Sequence, residues 1–488
     1  MSFVHPDRRA ASNRWAALAL IVVAQFMVIL DVAIVNVALP AIKSDLGFGQ
    51  AGLEWVITAY ALVFGGLLLL GGRLADLLGR RRIFAAGIAV FTLSSMLCGL
   101  SWSAGSLVAA RAVEGLGGAL LAPAGLALLM TTFAEGRERN LALGIWGAAS
   151  GSGAAVGVLV GGVLTSYLSW PWIFFINVPV GLALLALVPR FLAESRGAVD
   201  RRHFDVAGAT SVTAALMLLV YGLTNATRHG WSEPLTLGLF AAAALLALAF
   251  VAVERRAAAP LLPLRMFRIR TLAVANLVTV IIASLAFSEF FLLTLYLQDV
   301  LHYSAVQTGL AFSAIALTIA VVSNGAQALV TRFGPRRVLT SGLLLVTASL
   351  GLLTQLPVHG HYGADLLPAF LLNGLGFAFC FVPVTIAGLA GVAPSDAGVA
   401  SGLINTSRQV GGAVGLAVVN TIVASYAAGG TGHAGAALLT HSYRVGFVVL
   451  GSLALAGAAL ASLFLGARPP RADETEPAPD QIPLKEAA

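Results

Sequence analysis

Residues 15–39 read WAALALIVVAQFMVILDVAIVNVAL, an apolar stretch whose one charge is Asp31. A bilayer core of ~30 Å is crossed by about 20 apolar residues wound as an α-helix, so this stretch is long enough to span. Lipid offers the backbone no hydrogen-bond partner, and a single apolar segment satisfies its own amides only as a helix. The stretch is too long for the apolar core of a cleavable signal peptide, which runs about 7–15 residues. It is therefore read as a retained first span.

Thirteen further apolar runs follow, at 55–70, 83–100, 107–130, 141–164, 173–192, 206–225, 235–253, 272–297, 305–330, 338–356, 366–391, 401–424 and 444–466. The expected fold is all-α, a polytopic membrane protein of about fourteen transmembrane helices. Composition agrees: 58% of the residues are hydrophobic and only 10% charged, against roughly 25% charged in a soluble domain. So few charges do not cover a water-facing surface, and a mean hydropathy of +0.90 points the same way.

The net charge of +7 does not signal nucleic acid, because the basic residues sit in short runs between spans. With the N-terminus inside, the inner segments hold 24 of the 29 basic residues, and the outer loops hold Lys43 and Arg228, with Arg444 at a span edge. Excess Lys and Arg marks cytoplasmic loops, so both termini are expected in the cytoplasm. The loop at 394–399 is the inner segment without a basic residue. Only Lys43 and Lys485 are lysines, an arginine bias that fits a GC-rich bacterial genome and hence a bacterial cell membrane. Cys98 and Cys380 each lie in an apolar stretch and read as small core residues rather than a disulfide or metal pair.

The chain also repeats itself faintly. GRLADLLGRRR at 72–82 follows the second span, and QALVTRFGPRR at 327–337 follows the tenth. Repeats of this kind are common in secondary transporters. The spacing predicts a cytoplasmic N-terminus at 1–14, a six-helix bundle at 15–192, two extra central spans at 206–253, a second six-helix bundle at 272–466 and a disordered cytoplasmic tail at 467–488, rich in Pro, Glu and Ala.

GRLADLLGRRR (72–82) resembles the loop signature of the major facilitator superfamily. LDVAIVNVALP (30–40) resembles the first-span signature of its fourteen-span drug:proton antiporters, and WVITAYAL (55–62), WPWIFFINVPVG (170–181), LYLQDVLHYSAVQTGL (295–310) and ASGLINTSRQVGGAVG (400–415) extend the resemblance along nearly the whole chain. It implies an exporter of small lipophilic compounds, such as drugs, antibiotics or a self-made natural product. Export would proceed in exchange for protons, by alternating access, with the chain working as a monomer and without a cofactor. The rival readings are a nutrient importer or facilitator of the same superfamily and a membrane-embedded enzyme or lipid-handling protein. The last needs a nucleophile or metal site near an interface, and no such motif is present. His302, His359, His361, His433 and His441 fall in predicted outer loops.

Four groups of residues carry the expected chemistry. Gly72, Asp76, Gly79, Arg80 and Arg81 form a short loop able to bridge helix ends by ion pairing, and the resemblance implies a conformational gate. Topology signalling alone accounts for the arginines but not for Asp76. Gly144, Gly153, Gly157, Gly161 and Gly162 in the fifth span follow the antiporter signature, except that Val158 stands where that signature has proline. Glycines at this spacing let helices approach closely.

Charges inside spans are costly and usually face a cavity or a partner. Here they are Asp31, Arg111, Glu114, Glu289 and Arg408. Arg111 and Glu114, at i and i+3, share a helix face. Glu114 stands where the antiporter pattern has Gln. Asp31, Glu114 and Glu289 lie at matching depth, which points to one shared polar site. Two acids around one base is an arrangement suited to a reversible proton carrier, so Asp31, Arg111 and Glu114 are expected to couple protons. Asp31, Tyr60, Glu289, Phe290 and Arg408 are expected to line the substrate cavity, where an acid among aromatics would hold a lipophilic cation.

Overall fold

Every apolar run forms a helix. The computed structural model describes residues 8–48, 53, 55–134, 136–195, 205–257, 260–393, 396–429 and 435–465. Residues 1–7, the tail at 467–488, His433, Pro394 and the basic residues Arg196, Arg201, Arg202, Arg468, Arg471 and Lys485 lie outside the described residues.

The first group of helices is α1 (Arg8–Leu46), α2 (Trp55–Leu78), α3 (Arg80–Gly99), α4 (Ala104–Thr132), α5 (Arg137–Tyr167) and α6 (Trp172–Phe191). Two further helices follow, α7 (Val206–His229) and α8 (Pro234–Glu254). The last group is α9 (Arg270–Leu295), which runs on through a π-turn at Tyr296–Val300, then α10 (Ala305–Phe333), α11 (Pro335–Leu353), α12 (Leu367–Leu389), α13 (Ala397–Gly429) and α14 (Ala436–Phe464). Thirteen of these are long and apolar enough to cross a membrane. The fourteenth, α5, carries the apolar stretch Val156–Tyr167.

Local chemistry sets the helix boundaries. Ser103 with Ser106, and Ser304 with Gln307, form capping boxes that start α4 and α10 by satisfying orphan backbone donors. Pro234 and Pro335 occupy first turns, where a missing N–H costs nothing. Gly79 (φ 115°) and Gly334 (φ 82°) break α2 from α3 and α10 from α11. They are the matching glycines of the internal repeat, at a backbone angle that disfavours any side chain.

In the first group α2 and α3 pack along α4, and α1 packs along α5. In the last group α12 packs with α10 and α11, α9 with α13, and α14 with α9 and α11. The groups meet where α13 lies on α2 and α4, and where α5 lies on α10 and α12. The α7–α8 pair attaches at the same seam, α7 leaning on both α2 and α13. Large apolar side chains such as Leu245, Leu248, Val321 and Leu463 point outward, as a lipid-facing surface requires.

Contacts fix which helix ends share a face. Arg14 at the start of α1 pairs with Glu138 at the start of α5. The end of α2 meets the start of α13, where Asp396 pairs with Arg265 ahead of α9, and Arg270 at the start of α9 lies over Phe464 at the end of α14. The first and last helices therefore end on one face, called here the terminal face; the other is the far face.

Candidate functional site

Five helices of the first group converge on Arg111 of α4. Its Nη1 donates to Asp31 Oδ2 on α1 at 2.6 Å and to Glu114 Oε2 one turn along its own helix at 2.7 Å. Its Nε donates to the Val56 carbonyl of α2 at 3.1 Å. The guanidinium lies 4.3 Å from the centroid of the Tyr60 ring, also on α2, and 5.7 Å from that of Phe174 on α6. Asp31 and Glu114 are 0% exposed and Arg111 is 1% exposed. A buried charge is tolerable when it is paired and its remaining hydrogen-bonding capacity is used, and here one cation holds two acids.

The acids are also joined on their other side. Ser95 of α3 donates its hydroxyl to Glu114 Oε1 at 2.6 Å. Asn177 of α6 donates to Ser95 Oγ at 3.0 Å and to Asp31 Oδ1 at 3.4 Å. The result is a closed ring: Asp31, Arg111, Glu114, Ser95, Asn177 and back to Asp31. Cys98 adds a thiol donor to Glu114 Oε2 at 3.4 Å, so it is a contact of the site and not only a core residue. Ser95 and Asn177 were not among the residues singled out from the sequence. Uncharged polar residues are too common inside spans to stand out, although Asn177 lies within the WPWIFFINVPVG segment.

Glu289 does not join this ring. It lies in the last group, on α9, where Asn373 of α12 donates to its Oε1 at 2.6 Å. The expectation of one shared polar site is therefore corrected. Equal depth in the membrane fixes height but not the side of the molecule a residue faces, and α1 and α9 belong to different halves. The expected cavity lining is also revised. Asp31, Tyr60 and Glu289 are buried in this conformation, and Tyr60 serves the Arg111 cluster. Phe290 is partly buried and stacks on Phe312 at 4.5 Å. Arg408 of α13 is partly buried, with its guanidinium 5.5 Å from the centroid of the Trp146 ring of α5, across the seam between halves.

The glycines of α5 divide by the face they serve. A β-carbon on Gly153 would lie 2.7 Å from Ile29 Cγ2, one on Gly157 2.9 Å from the Leu30 carbonyl oxygen, and one on Gly161 3.0 Å from the Ile34 carbonyl oxygen. These three seat α5 against the part of α1 that carries Asp31. Gly144 and Gly162 face α10 instead, at Gln327 and Val306.

At the terminal face Arg80 donates to Asp76 Oδ1 from Nη2 at 2.6 Å and from Nε at 3.0 Å, and both residues are buried. Asp76 also accepts the backbone N–H groups of Gly398 (3.3 Å) and Val399 (3.1 Å) at the start of α13. Gly72 meets the Gly398 carbonyl so closely that a β-carbon has no room. One carboxylate of the first half thus holds a helix start of the second. Arg81 takes no part in this; it binds Glu194 and the Leu192 carbonyl within its own half. Around this latch both halves share one apolar core, including Leu68, Ala75, Leu126, Ile386, Ala400 and Leu403. Toward the far face, the apolar cluster around Ile34, Leu107 and Phe174 belongs to the first half alone.

Two helical halves meeting along a seam, with a buried charge cluster in one and a latch between them, define a polytopic membrane transporter. The chain belongs to the Major Facilitator Superfamily, whose family model matches residues 21–416. It is 43% identical over 480 residues to the puromycin resistance protein of Streptomyces alboniger, covering 96% of this chain and 94% of that one. It is 42% identical to the cephamycin export protein of Amycolatopsis lactamdurans, covering 92% of each. Among solved structures, the human organic anion transporter MFSD10 matches its fold with a TM-score of 0.59 at 17% identity, covering 92% of this chain and all of that one.

Proposed function

We propose that this chain exports small lipophilic compounds of the antibiotic type from a bacterial cell, in exchange for protons entering through its first half. The observation that carries the proposal is the bridging of Asp31 and Glu114 by Arg111 inside the membrane. A proton on Asp31 removes one of the two charges that Arg111 holds, and so weakens the tie between α1 and α4. The seating of α5 on α1 at Gly153, Gly157 and Gly161 passes a shift of α1 to the seam with α10. Asp76 closes the terminal face in this conformation, and its release from Gly398 and Val399 opens that face. The excess of basic residues makes the terminal face cytoplasmic, with the chain working as a monomer by alternating access. The two antibiotic-related relatives support the substrate class.

One proton moving down a potential of 100 mV supplies ~2.3 kcal/mol, enough for a gradient of roughly 50-fold. The test compares cells with and without the gene against puromycin, a cephamycin and other lipophilic antibiotics. The account expects higher tolerance and lower drug content with the gene, and a rise in content when a protonophore is added. A fall in content on adding the protonophore would mean import and would reject export.

A further inference from the structure

The second half carries an acid that the coupling cluster does not use. Glu289 and its partner Asn373 sit on α9 and α12, the first and fourth helices of the last group. Asp31 and the Arg111–Glu114 pair sit on α1 and α4, the first and fourth helices of the first group. The correspondence extends to the helix interruptions. Pro123 lies inside α4 nine residues after Glu114, and Pro383 lies inside α12 ten residues after Asn373. Each half therefore builds a carboxyl site between the same two of its helices.

The two sites differ in what balances the charge. Asp31 has Arg111. Glu289, 2% exposed, has one neutral donor, the Asn373 amide on Oε1 at 2.6 Å, while its Oε2 is buried without a hydrogen-bond partner. Among the described residues no charged group of α10, α12, α13 or α14 faces it. A carboxylate without a base is expensive in a membrane interior and persists there when something removes its charge. Phe290, next in the chain, stacks on Phe312 at 4.5 Å, and Phe312 stacks on Phe370 at 5.7 Å, an aromatic row that links α9, α10 and α12.

We propose that Glu289 is a second proton-binding site, so that each half carries one proton and a transport cycle moves two. The inference rests on the proton-exchange reading above. The proton arrives from water on the far side and forms an O–H bond at Glu289 Oε2, with Asn373 holding Oε1. After the halves re-pack, that bond breaks toward water on the terminal side and the carboxylate is restored. With an uncharged cargo and a 100 mV potential, a second proton raises the sustainable gradient from roughly 50-fold to roughly 2,500-fold.

The test is infrared difference spectroscopy of the purified full chain between high and low pH, reading the carbonyl stretch of protonated carboxyls. The expected result is a band that Glu289→Gln removes and Asp31→Asn leaves in place. No such band, or one that Asp31→Asn also removes, overturns an independent site. If Glu289→Gln fails to fold, Asn373→Leu takes its place; it must shift the same band, and an unmoved band overturns the assignment. In vesicles, the number of protons moved per puromycin should be two, falling to one in Glu289→Gln; an equal ratio in both proteins overturns the two-proton cycle. Absence of any puromycin-driven proton movement in the unaltered protein, with the Glu289 band present, would instead count against proton exchange itself.

Discussion

Replacing Arg111 with Met tests whether the buried cluster is held by charge or by shape. Its Nη1 touches both acids, at 2.6 and 2.7 Å, so the two carboxylate oxygens lie no more than about 5 Å apart. At the effective dielectric that suits buried sites, two like charges at that distance repel by ~3 kcal/mol. Removing one partner of a buried pair commonly costs about 3–5 kcal/mol, and the lost contact with Tyr60, desolvated here, adds about 2 kcal/mol. Arg111→Met should therefore lose about 5–7 kcal/mol of unfolding free energy, read by denaturant titration in mixed micelles. Adding Asp31→Asn and Glu114→Gln removes both negative charges while keeping their shapes. The triple variant should recover all but about 1–2 kcal/mol, since replacing a whole buried ion set is often close to neutral. A triple variant as unstable as Arg111→Met would refute the electrostatic account and make Arg111 a packing residue.

Three further outcomes follow from the geometry. Asp76→Asn removes the charge from bonds to Arg80, Gly398 and Val399, each worth about 1.5–3 kcal/mol with a charged acceptor; cysteine probes placed at the terminal face should label faster, and unchanged labelling would mean that the latch does not hold the halves. Gly157→Leu would drive a side chain into the Leu30 carbonyl and Ala33; antibiotic tolerance should be lost at normal expression, and full tolerance would show that α1 and α5 need not be seated closely. A reporter active only outside the cytoplasm, fused after Ala488, should be silent, and a strong signal would reverse the assignment of the terminal face.

Much of the architecture was legible because the membrane imposes a length rule on every span. The apolar runs fixed the helices, and the two GRLADLLGRRR-like segments fixed where matching turns fall, down to the positive-φ glycines Gly79 and Gly334. The Arg111 cluster was legible from the cost of charge in lipid: Asp31, Arg111 and Glu114 are expensive alone and cheaper together. Hydropathy reads depth but not direction, and so it grouped Glu289 with a cluster in the other half. It was equally blind to Ser95 and Asn177, which close the hydrogen-bonded ring but carry no charge. The division of the α5 glycines, three toward α1 and two toward α10, also depends on which helices become neighbours, and spacing along one helix does not determine that.

The central claim is that Asp31 carries protons through the first half. It is tested most directly by measuring proton movement when puromycin is added to vesicles containing the purified chain, with Asp31→Asn beside the unaltered protein. Asparagine keeps the size and a hydrogen-bonding oxygen for Arg111 but does not titrate. The account predicts that Asp31→Asn removes the proton carried by the first half, so that puromycin-driven proton movement falls by at least half and accumulation against a gradient falls with it. Glu114→Gln, which leaves Asp31 in place, should reduce them less. Undiminished proton movement in Asp31→Asn would contradict the account.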